Sequence, residues 1–168
     1  LDKNLKKIIK NINLYNFALS DKNGETKLKL PLRSKSIFKN NIEELYQLGA
    51  ASIHSKNLFK EFKEVLVETR KLDDVKISNK IGFIKIDVEG HELQIIQGAK
   101  KMIIKNMPVL LIEIEKKHTK KPVEDTINFV KKMGYECYFV SNKELISADH
   151  LKDKKLENNY YFLPKNFK

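Results

Sequence analysis

The amino-acid sequence predicts a layered α/β domain with parallel crossovers, and three observations carry that prediction. Two short apolar runs, residues 81–86 and 108–114, have the length of strands rather than helices. Each is followed by a stretch of helical spacing, 92–105 and then 122–130, so the strands would run parallel through crossover connections. The last two apolar stretches, 135–140 and 159–163, have no long helix between them and would pair antiparallel at the sheet edge.

In chain order, Leu1, Leu5, Ile8, Ile9 and Ile12 recur at helical spacing and read as the end of a helix, with a strand over 12–19 after it. Asn23 and Gly24 suit the positive φ of a tight hairpin. Residues 25–30 would return antiparallel, with Thr26, Leu28 and Leu30 alternating against Lys27 and Lys29. Asn41 and Glu44 have capping-box spacing, and Ile42, Leu45, Tyr46 and Leu48 would line one face of a helix stopped by Gly49. Residues 50–60 carry weak signals. Alternation over 64–70 predicts another strand, and 72–75 a short helical or turn segment.

The run at 81–86 would be a strand buried on both faces of the sheet. The helix over 92–105 carries Leu93, Ile96 and Ile103 on one stripe, with Ile95, Ala99 and Met102 beside it. Gly98 inside that helix costs about 1 kcal/mol relative to alanine, and close packing against the sheet is the expected reason. Pro122 suits the first turn of the last helix, Val123, Ile127 and Val130 its stripe, and Gly134 its end. Residues 141–157 are polar and loop-like, with room for one turn of helix. No internal repeat is visible.

The chain has 168 residues, 41% hydrophobic and 33% charged, which suits a single soluble domain over 1–168 with a proper core. No apolar run approaches the ~20 residues of a membrane helix, and the first residues lack the apolar core of a signal peptide. Cys137 is the lone cysteine, so no internal disulfide forms, and a reducing, cytoplasmic setting is expected. No Cys/His spacing suggests structural zinc. The net charge is +11, but only Arg33 and Arg70 among the 33 basic residues are arginine, and the lysines are spread along the chain. That pattern reads as a solvated lysine-rich surface, with no nucleic-acid partner expected.

The chemistry concentrates after the strand at 81–86, where Asp87, Glu89, His91 and Glu92 crowd around Gly90. Ligands of open α/β sheets bind outside the carboxyl ends of strands. Asp87 directly follows a buried strand, where a carboxylate needs partners. Glu89 could be a solvated loop acid, and Glu92 could serve only to complement the helix dipole. His91 beside Asp87 and Glu89 could orient or deprotonate a substrate hydroxyl. The same three could help bind a divalent ion, but their spacing is not diagnostic and no metal is assigned. Glu113, at the tip of the next strand, would face the same pocket. His54, His118 and His150 read as surface residues. No two of the six glycines form a G-x-G phosphate loop.

The string IKIDVEGHE at 84–92, followed by Gly98, Ala99 and LLIEI at 110–114, closely resembles the FkbM-type family of S-adenosylmethionine-dependent methyltransferases. NFALSD at 16–21, LDD at 72–74 and NYYFLP at 159–164 fall in the family's order, and the match covers essentially the whole chain. The resemblance implies a class I, Rossmann-like sheet, mostly parallel with an antiparallel last strand. The family's first two strands, including its glycine-rich cofactor loop, would precede Leu1, making this an incomplete domain. It implies S-adenosylmethionine as cofactor, with its adenine end near Phe17, Ala18 and Leu19. Asp87 would face methyl donor and acceptor, with Glu89 and His91 alongside as catalytic residues; Glu113, from its place at the tip of the next strand, would bind the substrate.

The expected activity is O-methylation of a sugar, glycan or small-metabolite hydroxyl, with Asp87 or His91 taking up the proton. The alternative is a non-enzymatic remnant or partner-binding domain. With no glycine-rich strand beside it, the strand at 81–86 would be an open sheet edge, which favours a homodimer.

Overall fold

Nine strands in two mixed sheets and three helices make up the α/β fold among the described residues of this computed structural model, namely 11–38, 41–46, 51–53, 61–116, 122–149 and 158–167. The elements are β1 (Ala18–Leu19), β2 (Gly24–Phe38), β3 (Asn41–Tyr46), β4 (Phe62–Arg70), a 3₁₀ turn (Leu72–Asp74), β5 (Phe83–Asp87), α1 (Glu92–Gly98) and α2 (Lys100–Asn106). They continue with β6 (Val109–Glu113), α3 (Val123–Lys131), β7 (Tyr135–Ser141), β8 (Glu144–Ser147) and β9 (Asn159–Pro164).

The first sheet has the order β1-β4-β2-β3. It corrects three expectations. The strand over 12–19 shortens to β1, and β1 pairs not with β2 but parallel with β4, which lies between them. Asn23 is the reason the turn opens. Its side chain accepts the Lys71 N–H at 2.8 Å and donates to Asp74 at 2.7 Å, wrapping the turn around the end of β4. The helix expected from Asn41 is strand β3, paired with β2 from Leu32 to Phe38. A capping contact stabilises a helix by about 1 kcal/mol, which a ladder of backbone partners along a long neighbouring strand outweighs. The expected helix over residues 1–12 lies, apart from its last two residues, outside the described residues.

The second sheet has the order β5-β6-β9-β7-β8. Only β5–β6 is parallel in it; β6–β9, β9–β7 and β7–β8 are antiparallel. The description mostly parallel therefore does not hold for the described strands, whereas the last strand is antiparallel as expected. That strand is not at the edge. Tyr160 and Phe162 of β9 are fully buried between β6 and β7. The edge belongs to β8, in a stretch read as loop. Asn142 and Lys143, at φ 51° and 68°, make the two-residue turn before β8 without the Asn-Gly pair that would announce it.

The core lies on one face of this sheet. Ile86, Leu110, Ile112, Phe162 and Phe139 cluster with Ile96 and Ile103 of α1 and α2 and with Ile127 and Val130 of α3. Tyr135, fully buried, donates its hydroxyl to the Pro108 carbonyl at 2.8 Å and ties the start of β7 to the entry of β6. On the other face Phe83, Val140 and Leu145 are exposed, at 56%, 43% and 50%, towards the two edges of the sheet. β5 thus alternates between faces and is not buried on both, because among the described strands it borders the sheet and the described helices pack on one side.

The helix expected over 92–105 is broken into α1 and α2 at Ala99, whose φ of −108° leaves the helical range. Gly98 presses on the chain after β1: a Cβ there would lie 1.9 Å from the Ser20 carbonyl oxygen. Just past the break, the Lys101 and Met102 N–H groups turn to the Asp73 carboxylate at 3.1 and 2.8 Å. Close packing explains the glycine, as expected, and Asp73 caps the second helix.

Candidate active site

Between the two sheets lies a cavity of about 420 Å³, within the ~300–1,000 Å³ usual for small-molecule sites. Phe17, Ala18 and Leu19 form one wall and Asp87, Glu89 and His91 another, so six of the seven expected site residues share one space. Ile84, Ile95 and Leu72 make its lining largely apolar. Glu113 is not among the lining residues. It lies beside Asp87 in the β5–β6 register.

Each wall is fixed by identifiable contacts. Phe17 has the Arg70 guanidinium 4.7 Å above its ring, and Glu68 holds Arg70 through two hydrogen bonds of 2.6 and 3.1 Å. β1 is anchored by its register with Thr69 and Arg70. On the other wall, Gly90 adopts φ 84°, which favours glycine, and lets the chain turn from β5 into α1. The Gly90 N–H bonds to Glu92 Oε1 at 2.9 Å. Ser52, on a segment bridged to Lys29 of β2, donates to the Glu89 carbonyl at 2.9 Å. That contact links the first sheet to the loop after β5.

The ionisable groups differ in setting. Asp87 is half exposed and paired with Lys85 at 2.7 Å, so the partner its carboxylate needs is the next residue on the same strand face. The Asp87 carboxylate raises the Lys85 ammonium above its usual range, chiefly through that hydrogen bond. Glu113 is raised as well, by burial first and then by the neighbouring charge of Asp87. Glu92 is 3% exposed, and its burial lifts the carboxyl from 4.5 to about 7. Its role exceeds complementing the helix dipole, because it closes the turn that carries Glu89 and His91. His91 Nε2 lies 3.0 Å from the hydroxyl of Ser20, which is 5% exposed. Among the described residues no three His, Cys, Asp or Glu side chains are grouped to hold a metal ion, and His54, His118 and His150 lie outside those residues.

The sequence reading missed Ser20, Ser52 and the structural weight of Glu92. Ser20 stood in the NFALSD string at 16–21 with no role given to it. Residues 51–53 gave no periodic signal, yet Ala51, Ser52 and Ile53 line the cavity.

A family model described as the methyltransferase FkbM domain matches residues 2–137. The chain belongs to the FkbM methyltransferase domain family. Among solved structures it is similar to an FkbM methyltransferase from Methylobacillus flagellatus KT, at 25% identity and a TM-score of 0.42. The similarity covers 58% of this chain and 23% of that one, so the chain spans under a quarter of the structure it matches. No curated protein matches. No helix among the described residues is long and apolar enough to cross a membrane.

Proposed function

We propose that this FkbM-family chain forms the acceptor side of an S-adenosylmethionine-dependent methyltransferase acting on a hydroxyl of a sugar, glycan or small metabolite. The carrying observation is the convergence of Phe17, Ala18 and Leu19 with Asp87, Glu89 and His91 on one cavity. The parallel β5–β6 pair with antiparallel β9 beside it supports a class I sheet. In this reading the glycine-rich strand lies upstream of Leu1, and residues 1–168 form part of the domain.

The apolar wall suits the adenine end of the cofactor, with Phe17, Ala18 and Leu19 against the base. When bound, S-adenosylmethionine supplies an electrophilic methyl group on a sulfonium. The chain's own task is to align the acceptor hydroxyl and take its proton. His91 is the better base, since Ser20 fixes its ring in the wall, whereas one oxygen of Asp87 is engaged by Lys85. Asp87 and Glu89 orient the acceptor from the cavity wall, and Glu113 beside Asp87 extends its binding surface. A cytoplasmic location belongs to the same proposal, whereas a homodimer through the β5 border belongs to a chain whose β5 has no glycine-rich strand beside it.

One observation favours a second reading, a partner-binding domain without cofactor. The sheet face away from the helices exposes Phe83 near one edge and Val140 and Leu145 near the other. Calorimetry with S-adenosylhomocysteine separates the two, using the chain extended upstream of Leu1. Methyl transfer predicts saturable 1:1 binding, weakened at least tenfold by Phe17→Ala and little changed by His91→Gln. Absence of saturable binding favours the second reading.

A further inference from the structure

A second cavity, of about 520 Å³, lies at the other end of β5, where the chain enters the strand. One wall is the segment 75–81 and another the α2 residues Lys101, Met102, Lys105 and Asn106, with Asp73 beside them. Neighbouring residues divide between the two cavities: Leu72 and Ile103 line the candidate active site, Asp73 and Met102 this one. The walls are fixed by hydrogen bonds. Asn106 accepts the Ile81 N–H at 3.2 Å and donates to the Met102 carbonyl at 2.9 Å, tying the segment before β5 to α2. Asp73 is the acid among the described lining residues, and both its oxygens are directed to the start of α2, at 3.1 and 2.8 Å.

Three lysines line the space so built, Lys80 from one wall and Lys101 and Lys105 from the other. All three are exposed, and among the described residues none is paired with a carboxylate. Lys27, Lys71 and Lys85 differ, being paired with Glu64, Asp74 and Asp87. Asp74 feels the charge of Lys101, but its carboxylate is held by Asn23 and Lys71. Lys101 and Lys105 are four residues apart on one helix face, where like charges repel. A fixed polar cavity with mutually repelling cations in its walls is matched by an anion.

We propose that this cavity binds a phosphate-bearing ligand, a phosphomonoester or diphosphate, through Lys80, Lys101 and Lys105, with Ser78 and Asn79 as neutral donors. A lysine ammonium binds phosphate as a compact point charge and does not need the planar fork of arginine. A phosphomonoester brings three terminal oxygens and a charge of roughly −2, which suits three ammonium groups better than a monoanionic carboxylate does. The volume falls in the range of small-molecule sites, leaving room for the organic part of the ligand. The site goes beyond the methyl-transfer reading and stands whether or not that reading holds.

Titration with inorganic pyrophosphate at constant ionic strength, followed by backbone amide shifts on the chain extended upstream of Leu1, tests the proposal. Saturable 1:1 shifts are expected over residues 77–80 and 101–105, with Phe17 and His91 unmoved. Lys80→Gln, Lys101→Gln and Lys105→Gln should each weaken binding about fivefold. Lys143→Gln removes the same charge beside β8, at the opposite border of the sheet, and should change nothing. Equal weakening by Lys143→Gln would reveal diffuse attraction to a basic surface and overturn the proposal, as would absence of saturation. Phosphatidylcholine vesicles doped with phosphatidic acid distinguish the sources of phosphate. A chain that binds pyrophosphate and does not sediment with them takes a soluble ligand, and sedimentation that pyrophosphate reverses assigns the site to a headgroup.

Discussion

Two residues decide more than their size suggests. Gly98→Ala sets two effects against each other. Alanine gains about 1 kcal/mol in helix propensity, but its Cβ would meet the Ser20 carbonyl oxygen at 1.9 Å, a backbone atom that can move only with β1. Overpacking of this kind costs about 1–3 kcal/mol, so a net loss of stability is expected in urea unfolding. An unchanged or raised midpoint would show that the Ser20 segment yields freely. Glu92 gives a pH signature. Its folded-state carboxyl is raised from 4.5 to about 7, so the folded chain holds a proton that the unfolded chain releases. Stability from this group is therefore full below about pH 4.5 and declines as pH rises to about 7, by roughly 3 kcal/mol at most. Glu92→Gln keeps an acceptor for the Gly90 N–H and removes the charge. It should flatten that slope and raise the thermal midpoint at pH 8. An unaltered slope between the variants would place the pH dependence elsewhere.

Among elements, α2 depends on a residue outside it. Asp73 accepts the Lys101 and Met102 N–H groups, so Asp73→Ala leaves two helix-start donors to solvent and should cost about 1 kcal/mol, read as a lower midpoint in chemical unfolding. A change within error would mean that water serves equally well. The elements legible in the sequence were those whose signal is local. β5, β6, β7, β9 and α3 each carry their own periodicity, and Gly134, at φ 97°, ends the last helix as expected. Others depend on partners remote in sequence. Asn41 and Glu44 satisfy a capping pattern, yet β3 is a strand because β2 runs on to Phe38 beside it. The order β1-β4-β2 was illegible for the same reason. Asn23 reads locally as a hairpin residue, and its bonds to Lys71 and Asp74 appear only once β4 is in place.

At the scale of the molecule, the site exists because the two sheets are joined where it lies. Ser20 meets His91 and Gly98, Ser52 meets the Glu89 carbonyl, and Asp73 meets α2. The charged half of the cavity was legible, since Asp87, Glu89 and His91 follow a strand directly. The apolar half rested on the resemblance, and residues 51–53 could not be placed because nothing in their sequence says which strand they will lie beside. The central claim is that this junction holds the methyl donor. Backbone amide mapping during titration with S-adenosylhomocysteine tests it most directly, on the chain extended upstream of Leu1. Saturable shifts are predicted at Phe17, Ala18 and Leu19 and along residues 87–91, with Ile77, Lys80 and Lys105 at the far end of β5 unmoved. Saturable shifts confined to that far end, or none anywhere, would contradict it.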